Sequence, residues 1–133
     1  MKEGRKKPRS GRLLRHADFE RVYKQGRRHF SQHMTVFYLA RAEGEELRVG
    51  FTVGRVLGGA VERNRMKRRL RESVRLTRPA AAIAGDVVIN PKKSLRTAEF
   101  TEVLNEVGRA FDVIAQKLAE RPAVKHAPPT DRT

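Results

Sequence analysis

Several residue types and patterns are missing from this sequence. It has no cysteine and no tryptophan, and only 6% of its residues are aromatic. The missing cysteines exclude disulfides, zinc knuckles and thiol catalysis, and they suit a reducing compartment. No apolar run approaches the roughly 20 residues of a membrane helix, and none of signal-peptide length follows the N-terminus. We therefore expect a cytoplasmic protein with no membrane partner.

Acidic residues are also few. The chain carries 30 Lys and Arg against 15 Asp and Glu, which gives a net charge of +15. A protein with this charge concentrates polyanions around itself and gains affinity when its cations release counterions from phosphates. Arginine dominates the central basic segment, and its planar fork suits phosphate oxygens and base edges better than a lipid surface requires. The composition favours a nucleic-acid partner.

The basic residues are concentrated in two blocks. Residues 1–28 hold 11 basic and 3 acidic side chains, and residues 55–78 hold 9 and 2. Residues 29–54, between the blocks, hold only 2 basic and 3 acidic side chains. This pattern predicts one basic face rather than an evenly charged surface.

The length of 133 residues suffices for one small domain with tails. Residues 1–11 lack apolar side chains beyond Met1 and predict a flexible basic arm. Residues 120–133 contain three prolines and no periodicity, and they predict a disordered tail. The folded domain should therefore span residues 12–119.

Apolar spacing in the first half of the domain predicts one helix and two strands. The helix covers about residues 16–25 and ends at Gly26, which we expect in the left-handed C-terminal conformation. Residues 34–40 are β-branched and aromatic, and residues 47–53 alternate in polarity after a polar turn. These two runs predict a hairpin.

The second half of the domain adds a helix over 60–78, a strand over 86–89 and a long helix with a regular apolar stripe. Phe100 and Phe111 belong to that stripe, and we expect both in the core. The order of elements indicates an α+β fold, a two-layer α/β sandwich with helices packed on one mostly antiparallel sheet. The helix between the last two strands makes a βαβ unit.

The helix over 60–78 has a thin apolar stripe and a broad cationic face. Glu62 and Glu72 are its only acidic residues, so repulsion among its cations should destabilise it unless an anion is bound. Cations three or four positions apart repeat at roughly 4.5–6 Å, close to the spacing of phosphates, and the first turn exposes N–H groups that attract anions. Asn64 adds a donor and an acceptor for a base edge or a 2′-hydroxyl. The segment predicts an RNA-binding surface.

Three aromatic residues have two alternative roles. Phe19 and Tyr23 share one face of the first helix, and Phe37 lies on the first predicted strand. They either pack in the core or form a shelf for unpaired bases, worth roughly 1–3 kcal/mol per base. The hydroxyl of Tyr23 favours a solvent-exposed position over the core, whereas the sequence leaves both roles open for Phe19.

The sequence shows no pattern typical of catalysis by the polypeptide. Its acidic residues are scattered, and Glu99, Glu102 and Glu106 fall on an exposed face of the last helix, where they serve solubility. Its four histidines have no metal-ligand spacing, so we expect no protein-held metal centre.

Several short motifs follow one another in a distinctive order. They are Arg12-Leu13, Asp18-Phe19, Val22-Tyr23 and Gly26, then Leu47-Arg48-Val49-Gly50, and then Gly58-Gly59-Ala60-Val61-Glu62-Arg63-Asn64-Arg65-Met66-Lys67-Arg68. This order and spacing resemble the family of protein subunits of bacterial ribonuclease P over about residues 12–115. The Arg-Asn-Arg step that opens the basic helix, preceded by Gly-x-Ala-Val, is the most specific part of the resemblance.

The resemblance implies an α/β sandwich whose basic helix lies in a left-handed βαβ crossover, against the right-handed norm. It implies two RNA partners, the catalytic ribonuclease P RNA and precursor tRNA, and no protein partner. The holoenzyme is expected to remove the 5′ leader endonucleolytically, with catalysis carried by the RNA and with Mg²⁺ held mainly by that RNA.

The resemblance also assigns binding residues to two sites. Those for the catalytic RNA are Arg55, Arg63, Asn64, Arg65, Lys67, Arg68 and Arg71. Those for the 5′ leader, in a cleft between the first helix and the sheet, are Arg12, Phe19, Tyr23 and Phe37. Two positions depart from the family, because Val56 stands where a second lysine is common and the first helix lacks a polar N-cap near His16.

Two other functions fit the composition. A ribosomal or ribosome-assembly protein would have a similar charge and would bind RNA in a structural role. A DNA-binding regulator would use residues 60–78 as a recognition helix. That helix is cationic nearly to its C-terminus, where polar variety for reading bases is expected, so the regulator fits less well.

Overall fold

The computed structural model describes residues 15–79 and 82–124, of which residues 120–124 are described as backbone. The elements in these ranges are α1 (His16–Gln25), β1 (Arg27–Phe30), β2 (Met34–Ala40), β3 (Leu47–Phe51), α2 (Ala60–Thr77), β4 (Gly85–Pro91) and α3 (Phe100–Val124), with 3₁₀ turns at Arg55–Leu57 and Lys93–Arg96. The predicted arm at 1–11, the leader residue Arg12 and the residues after 124 lie outside the described ranges.

The four strands form one mixed sheet in the order β1-β2-β4-β3. β1 and β4 each pair antiparallel with β2, while β3 pairs parallel with β4. The α+β class is confirmed, but the predicted hairpin of β2 and β3 is wrong, because β4 lies between them. All but one residue of β4 is buried, and an apolar strand of this kind is stabilised by a central position with both faces covered.

The connection from β3 to β4 runs through α2, so the predicted βαβ unit is present. The left-handed sense that the resemblance implies for this crossover stays a prediction. α2 ends one residue before the predicted boundary, and α3 continues to Val124, beyond the domain limit of 119 predicted from sequence.

The helices occupy both faces of the sheet. α2 and α3 cover one face, where Val36, Val87, Leu70 and Phe111 belong to one buried cluster. Neighbouring strand residues point to opposite faces, and the opposite face carries α1. Phe100 is only half-buried, so its predicted place in the core is wrong.

The short strand β1 has no counterpart in the sequence prediction, since its residues RRHF show neither apolar alternation nor a turn signal. It follows α1 directly through Gly26, whose φ of −83° is ordinary rather than left-handed. A Cβ atom at Gly26 would lie 2.5 Å from the carbonyl oxygen of Val22 and 2.6 Å from that of Tyr38. Glycine is therefore required at position 26 because the backbones of α1 and β2 come too close to leave room for a Cβ atom. The predicted left-handed conformation is wrong.

A buried ionic network attaches α1 to the sheet. Asp86 on β4 is fully buried and accepts hydrogen bonds from Arg48 Nε at 2.8 Å and Arg21 Nη2 at 3.0 Å. Arg21 also donates to Asp18 at 3.1 Å, within α1. The hydrogen bond to Asp86 raises the pKa of Arg48 above its ordinary value. Because two arginines join two aspartates across the interface, the tilt of α1 over the sheet is set by charge as well as by packing.

The N-terminus of α1 is not capped by the side chain at the cap position, because Arg15 stands there and its guanidinium cannot accept a hydrogen bond. The backbone N–H of Arg15 donates to Asp18 Oδ2 at 3.0 Å. This hydrogen bond, followed by the nearby guanidinium groups of Arg48 and Arg21, lowers the pKa of Asp18 below its ordinary value. The missing N-cap noted in the sequence is thus replaced by a carboxylate from the first turn.

Candidate nucleic-acid interface

An open cleft of about 540 Å³ lies between α1 and the end of β3. Phe19 and Tyr23 form its helical side, Thr52 and Val53 form its sheet side, and Lys67 reaches it from α2. Phe51 adds to the apolar part of the lining, whereas His16 and Glu20 of α1 and Lys67 are among its polar or charged members. A site of this composition suits unpaired bases that are attached to a phosphate backbone.

Tyr23 is the best-positioned aromatic residue of the cleft. The residue is 37% exposed, and its ring meets the ring of Phe37 edge-on, with centroids 4.9 Å apart. Its hydroxyl lies 2.7 Å from Thr52 Oγ1 and donates to Asn90 Oδ1 at 3.0 Å. These contacts hold the ring in one orientation while one side of it stays accessible.

The other two predicted leader residues occupy intermediate positions. Phe19 lines the cleft and is half-buried, and Phe37 is half-buried beneath Tyr23 on β2. The guanidinium of Arg28 lies 5.5 Å from the centroid of Phe37, a distance typical of a cation–π contact. The structure thus brings Phe19, Tyr23 and Phe37 together, and their contact with RNA stays a prediction.

The basic helix α2 buries the stripe that the sequence predicts and exposes most of its cations. Met66, Leu70, Ser73 and Val74 are the buried residues. Six predicted RNA-binding side chains make no hydrogen bond or ion pair with any other residue that the structure describes, and these are Arg55, Asn64, Arg65, Lys67, Arg68 and Arg71. The five cations among them are available to an external polyanion, and the amide of Asn64 is free to form hydrogen bonds.

Other cations around α2 serve the fold instead. Arg63, predicted to bind RNA, donates through Nε to the carbonyl of Gly58 at 3.2 Å. Arg69 donates to the carbonyls of Leu95 and Ala98 and so joins α2 to the segment before α3. Burial lowers the pKa of the Arg69 guanidinium. Arg63 uses Nε for its hydrogen bond to Gly58, so only the other N–H groups of its guanidinium could contact RNA.

The first turn of α2 is less open to anions than the sequence suggests. Glu62 Oε1 accepts a hydrogen bond from the backbone N–H of Gly59 at 3.3 Å. Its other oxygen accepts from Arg96 Nη2 at 3.1 Å. A carboxylate of the protein therefore occupies the helix terminus that was expected to attract phosphate.

The sequence did not single out Arg28, Thr52 or Asn90. Arg28 belongs to β1, a strand without an apolar pattern, and Thr52 and Asn90 are small polar residues at strand ends. Their positions beside Phe37 and Tyr23 depend on sheet pairing between distant segments. No local signal could have identified them.

Two acidic residues of α3 have structural contacts beyond solubility. Glu106 accepts a hydrogen bond from the backbone N–H of His33 at 3.0 Å, and Glu102 lies 3.4 Å from His33 Nε2. His33 Nδ1 lies 2.7 Å from Ser94 Oγ. This cluster joins the β1–β2 turn to α3. Within residues 15–79 and 82–119, no group of three His, Asp or Glu side chains could hold a metal ion.

The sequence model of the Ribonuclease P family matches residues 8–115. The chain belongs to the ribonuclease P protein family. It is 41% identical over 98 residues to the ribonuclease P protein component of Exiguobacterium sp., covering 72% of this chain and 85% of that protein. It is 37% identical over 112 residues to that of Geobacter sp., covering 84% of this chain and 95% of that protein.

Solved ribonuclease P proteins share the fold. The Thermotoga maritima protein superimposes with a TM-score of 0.67 at 26% identity, covering 75% of this chain and 94% of that one. A Staphylococcus aureus protein gives a TM-score of 0.70 at 25% identity, covering 79% and 95%. The chain is thus a protein component of an endoribonuclease holoenzyme, and RNA binding and tRNA processing follow from ribonuclease P membership. None of the described helices is long and apolar enough to cross a membrane.

Proposed function

We propose that this chain binds the catalytic RNA of ribonuclease P through α2 and the 5′ leader of precursor tRNA through the cleft beside α1. The holoenzyme then removes the leader endonucleolytically, and the polypeptide contributes binding rather than bond cleavage. The site of action would be the cytoplasm. The alternative of a ribosomal or assembly role has no specific observation in its favour.

One observation carries this proposal. Lys67 belongs to the basic helix, yet it lines the same cleft as Phe19 and Tyr23. A strand of RNA that stacks on the aromatic residues would therefore have its phosphates beside the surface proposed for the catalytic RNA. This adjacency suits a protein that holds a substrate strand next to a catalytic partner.

The proposal assigns Mg²⁺ to the RNA. Mg²⁺ retains several of its waters and favours phosphate oxygens, and the described side chains offer no cluster that would hold it. This chain would contribute electrostatically. The exposed cations of α2 would offset the repulsion between RNA strands, and assembly would then require a lower Mg²⁺ concentration.

Reconstitution tests the proposal. The full chain would be combined with a bacterial ribonuclease P RNA at low Mg²⁺, and leader removal from precursor tRNA would be compared with that by the RNA alone. We expect clear stimulation, and tighter binding of precursor tRNA than of mature tRNA. Absence of both effects would refute the proposed function.

A further inference from the structure

Phe30 is an aromatic residue that the proposed function leaves without a role. It lies on the edge strand β1 and is 65% exposed. Single exposed apolar residues are common on proteins, so exposure alone indicates nothing. The position of Phe30 relative to the cleft is what suggests a function.

Sheet register places Phe30 on the face that carries the cleft. Phe30 pairs with Thr35 on β2, and Thr35 pairs with Asn90 on β4. Paired residues point to the same face of a sheet, and Asn90 accepts the hydrogen bond of Tyr23. A row of partly exposed side chains therefore runs from Tyr23 across the sheet to Phe30.

Cationic groups accompany this row. Arg28 precedes Phe30 by two residues on the same face, is exposed, and lies over Phe37. Lys92 is also exposed and donates through Nζ to the carbonyl of Ser31, the residue after Phe30. An aromatic face with cations on both sides is the arrangement that holds a single nucleic-acid strand, since bases stack while phosphates meet the charges.

We propose that Phe30 and Arg28 form a second stacking site, which holds the 5′ leader after it leaves the cleft of Tyr23 and Phe37. This inference rests on the proposed function. RNA is the occupant because the row is continuous with the cleft and the exposed cations Arg28 and Lys92 lie beside it. Diagonal neighbours on adjacent strands lie roughly 7–8 Å apart, and stacked nucleotides advance by about 3.4 Å. Phe30 would therefore meet a base roughly two nucleotides beyond the one at Phe37.

The dependence of binding on leader length tests this site. Holoenzyme with the wild-type chain or with Phe30→Ala would bind precursor tRNAs whose leaders are lengthened one nucleotide at a time. Short leaders should bind both proteins equally, whereas long leaders should bind Phe30→Ala at least about fivefold more weakly. Phe30→Tyr should restore affinity. Gln116→Ala, which truncates an exposed side chain on α3 rather than on the helix proposed to bind RNA, is the control and should bind every leader as wild type does.

A direct readout comes from Phe30→Trp, because the chain contains no other tryptophan. Stacking of a base should quench its fluorescence when the holoenzyme binds precursor tRNA with a long leader. Mature tRNA and short leaders should leave the signal unchanged.

Three results would overturn the inference. These are equal binding of all leaders by Phe30→Ala and wild type, a loss shared by mature tRNA, or loss of self-association in Phe30→Ala with leader affinity unchanged. The last result would show that Phe30 contacts a second copy of the chain instead of RNA. If instead the wild-type holoenzyme does not distinguish precursor from mature tRNA, the proposed leader cleft fails as well, so the two failures are separable.

Discussion

The hydroxyl of Tyr23 lies 2.7 Å from Oγ1 of Thr52, which ties α1 to the end of β3 at the ring proposed to stack on the leader. The same hydroxyl donates to Asn90 on β4. Since one phenol hydrogen serves Asn90, Thr52 acts as the donor to Tyr23. The ring is thus oriented before RNA arrives, which reduces the entropy lost on binding.

Two substitutions at Tyr23 separate the ring from its hydroxyl. Tyr23→Ala should weaken binding of leader-bearing tRNA by about 1–3 kcal/mol, the usual contribution of one stacked base. Tyr23→Phe keeps the ring and should lose about 1 kcal/mol or less. Equilibrium binding of precursor and mature tRNA to the holoenzyme measures both effects. An equal loss for mature tRNA would contradict a role in leader binding.

The free cations of α2 predict the salt dependence of RNA assembly. Replacing Arg65 and Arg68 by Ala should weaken binding of the catalytic RNA and reduce the slope of log affinity against log salt by roughly 1 for each lost phosphate contact. Filter binding over a series of salt concentrations measures the slope. An unchanged slope would show that neither residue contacts phosphate.

The same helix offers a matched control. Arg75 is exposed like Arg68, but it is paired with Glu72 one turn earlier, and this hydrogen bond lowers the pKa of Glu72. The double replacement Glu72→Gln with Arg75→Gln removes one charge of each sign and leaves the net charge unchanged. The affinity for the catalytic RNA and its salt slope should therefore stay close to those of wild type.

Local periodicity was sufficient to predict the helices. The apolar spacing of α1 and α2 gave their bounds to within a residue, since helix formation depends on side chains three and four positions apart. Strand partners depend on segments distant in sequence. β4 therefore lies between the two strands of the expected hairpin, and β1 was not predicted because two of its four residues are arginines and it has no apolar alternation.

The candidate site shows the same division. Helical spacing predicted that Arg68 and Arg71 would face away from the core, which the burial of Met66 and Leu70 confirms. Spacing could not show that Arg69 is occupied, because its partners are carbonyl oxygens on another segment, more than twenty residues away. Whether a cation is free to bind RNA depends on its tertiary contacts, whereas the side of the helix on which it lies depends on local spacing alone.

The lowered pKa of Asp18 predicts how stability depends on pH. A carboxyl whose folded pKa lies below its ordinary value of 3.8 stabilises the protein above that pH, and this contribution is lost as pH falls through the folded pKa. Asp18→Asn should therefore lower the free energy of unfolding by about 1–3 kcal/mol at neutral pH. The difference from wild type should shrink on acidification below 3.8.

Urea unfolding at a series of pH values measures this difference. Asp112→Asn is the control, because Asp112 is exposed on α3 and has no ion pair among the residues that the structure describes. Its difference from wild type should be small at every pH. A difference for Asp18→Asn that grows on acidification would contradict the assigned role of the Arg15 hydrogen bond.

The close approach at Gly26 predicts a large effect from one added methyl group. Both neighbouring atoms, the carbonyl oxygens of Val22 and Tyr38, belong to backbone and lie within 2.6 Å of the added Cβ. Gly26→Ala should destabilise the protein by about 1–3 kcal/mol, because α1 must move from the sheet. Gly54→Ala is the control, since nothing lies within 4 Å of its Cβ and its φ is ordinary. Thermal unfolding measures both, and equal melting temperatures would refute the steric role of Gly26.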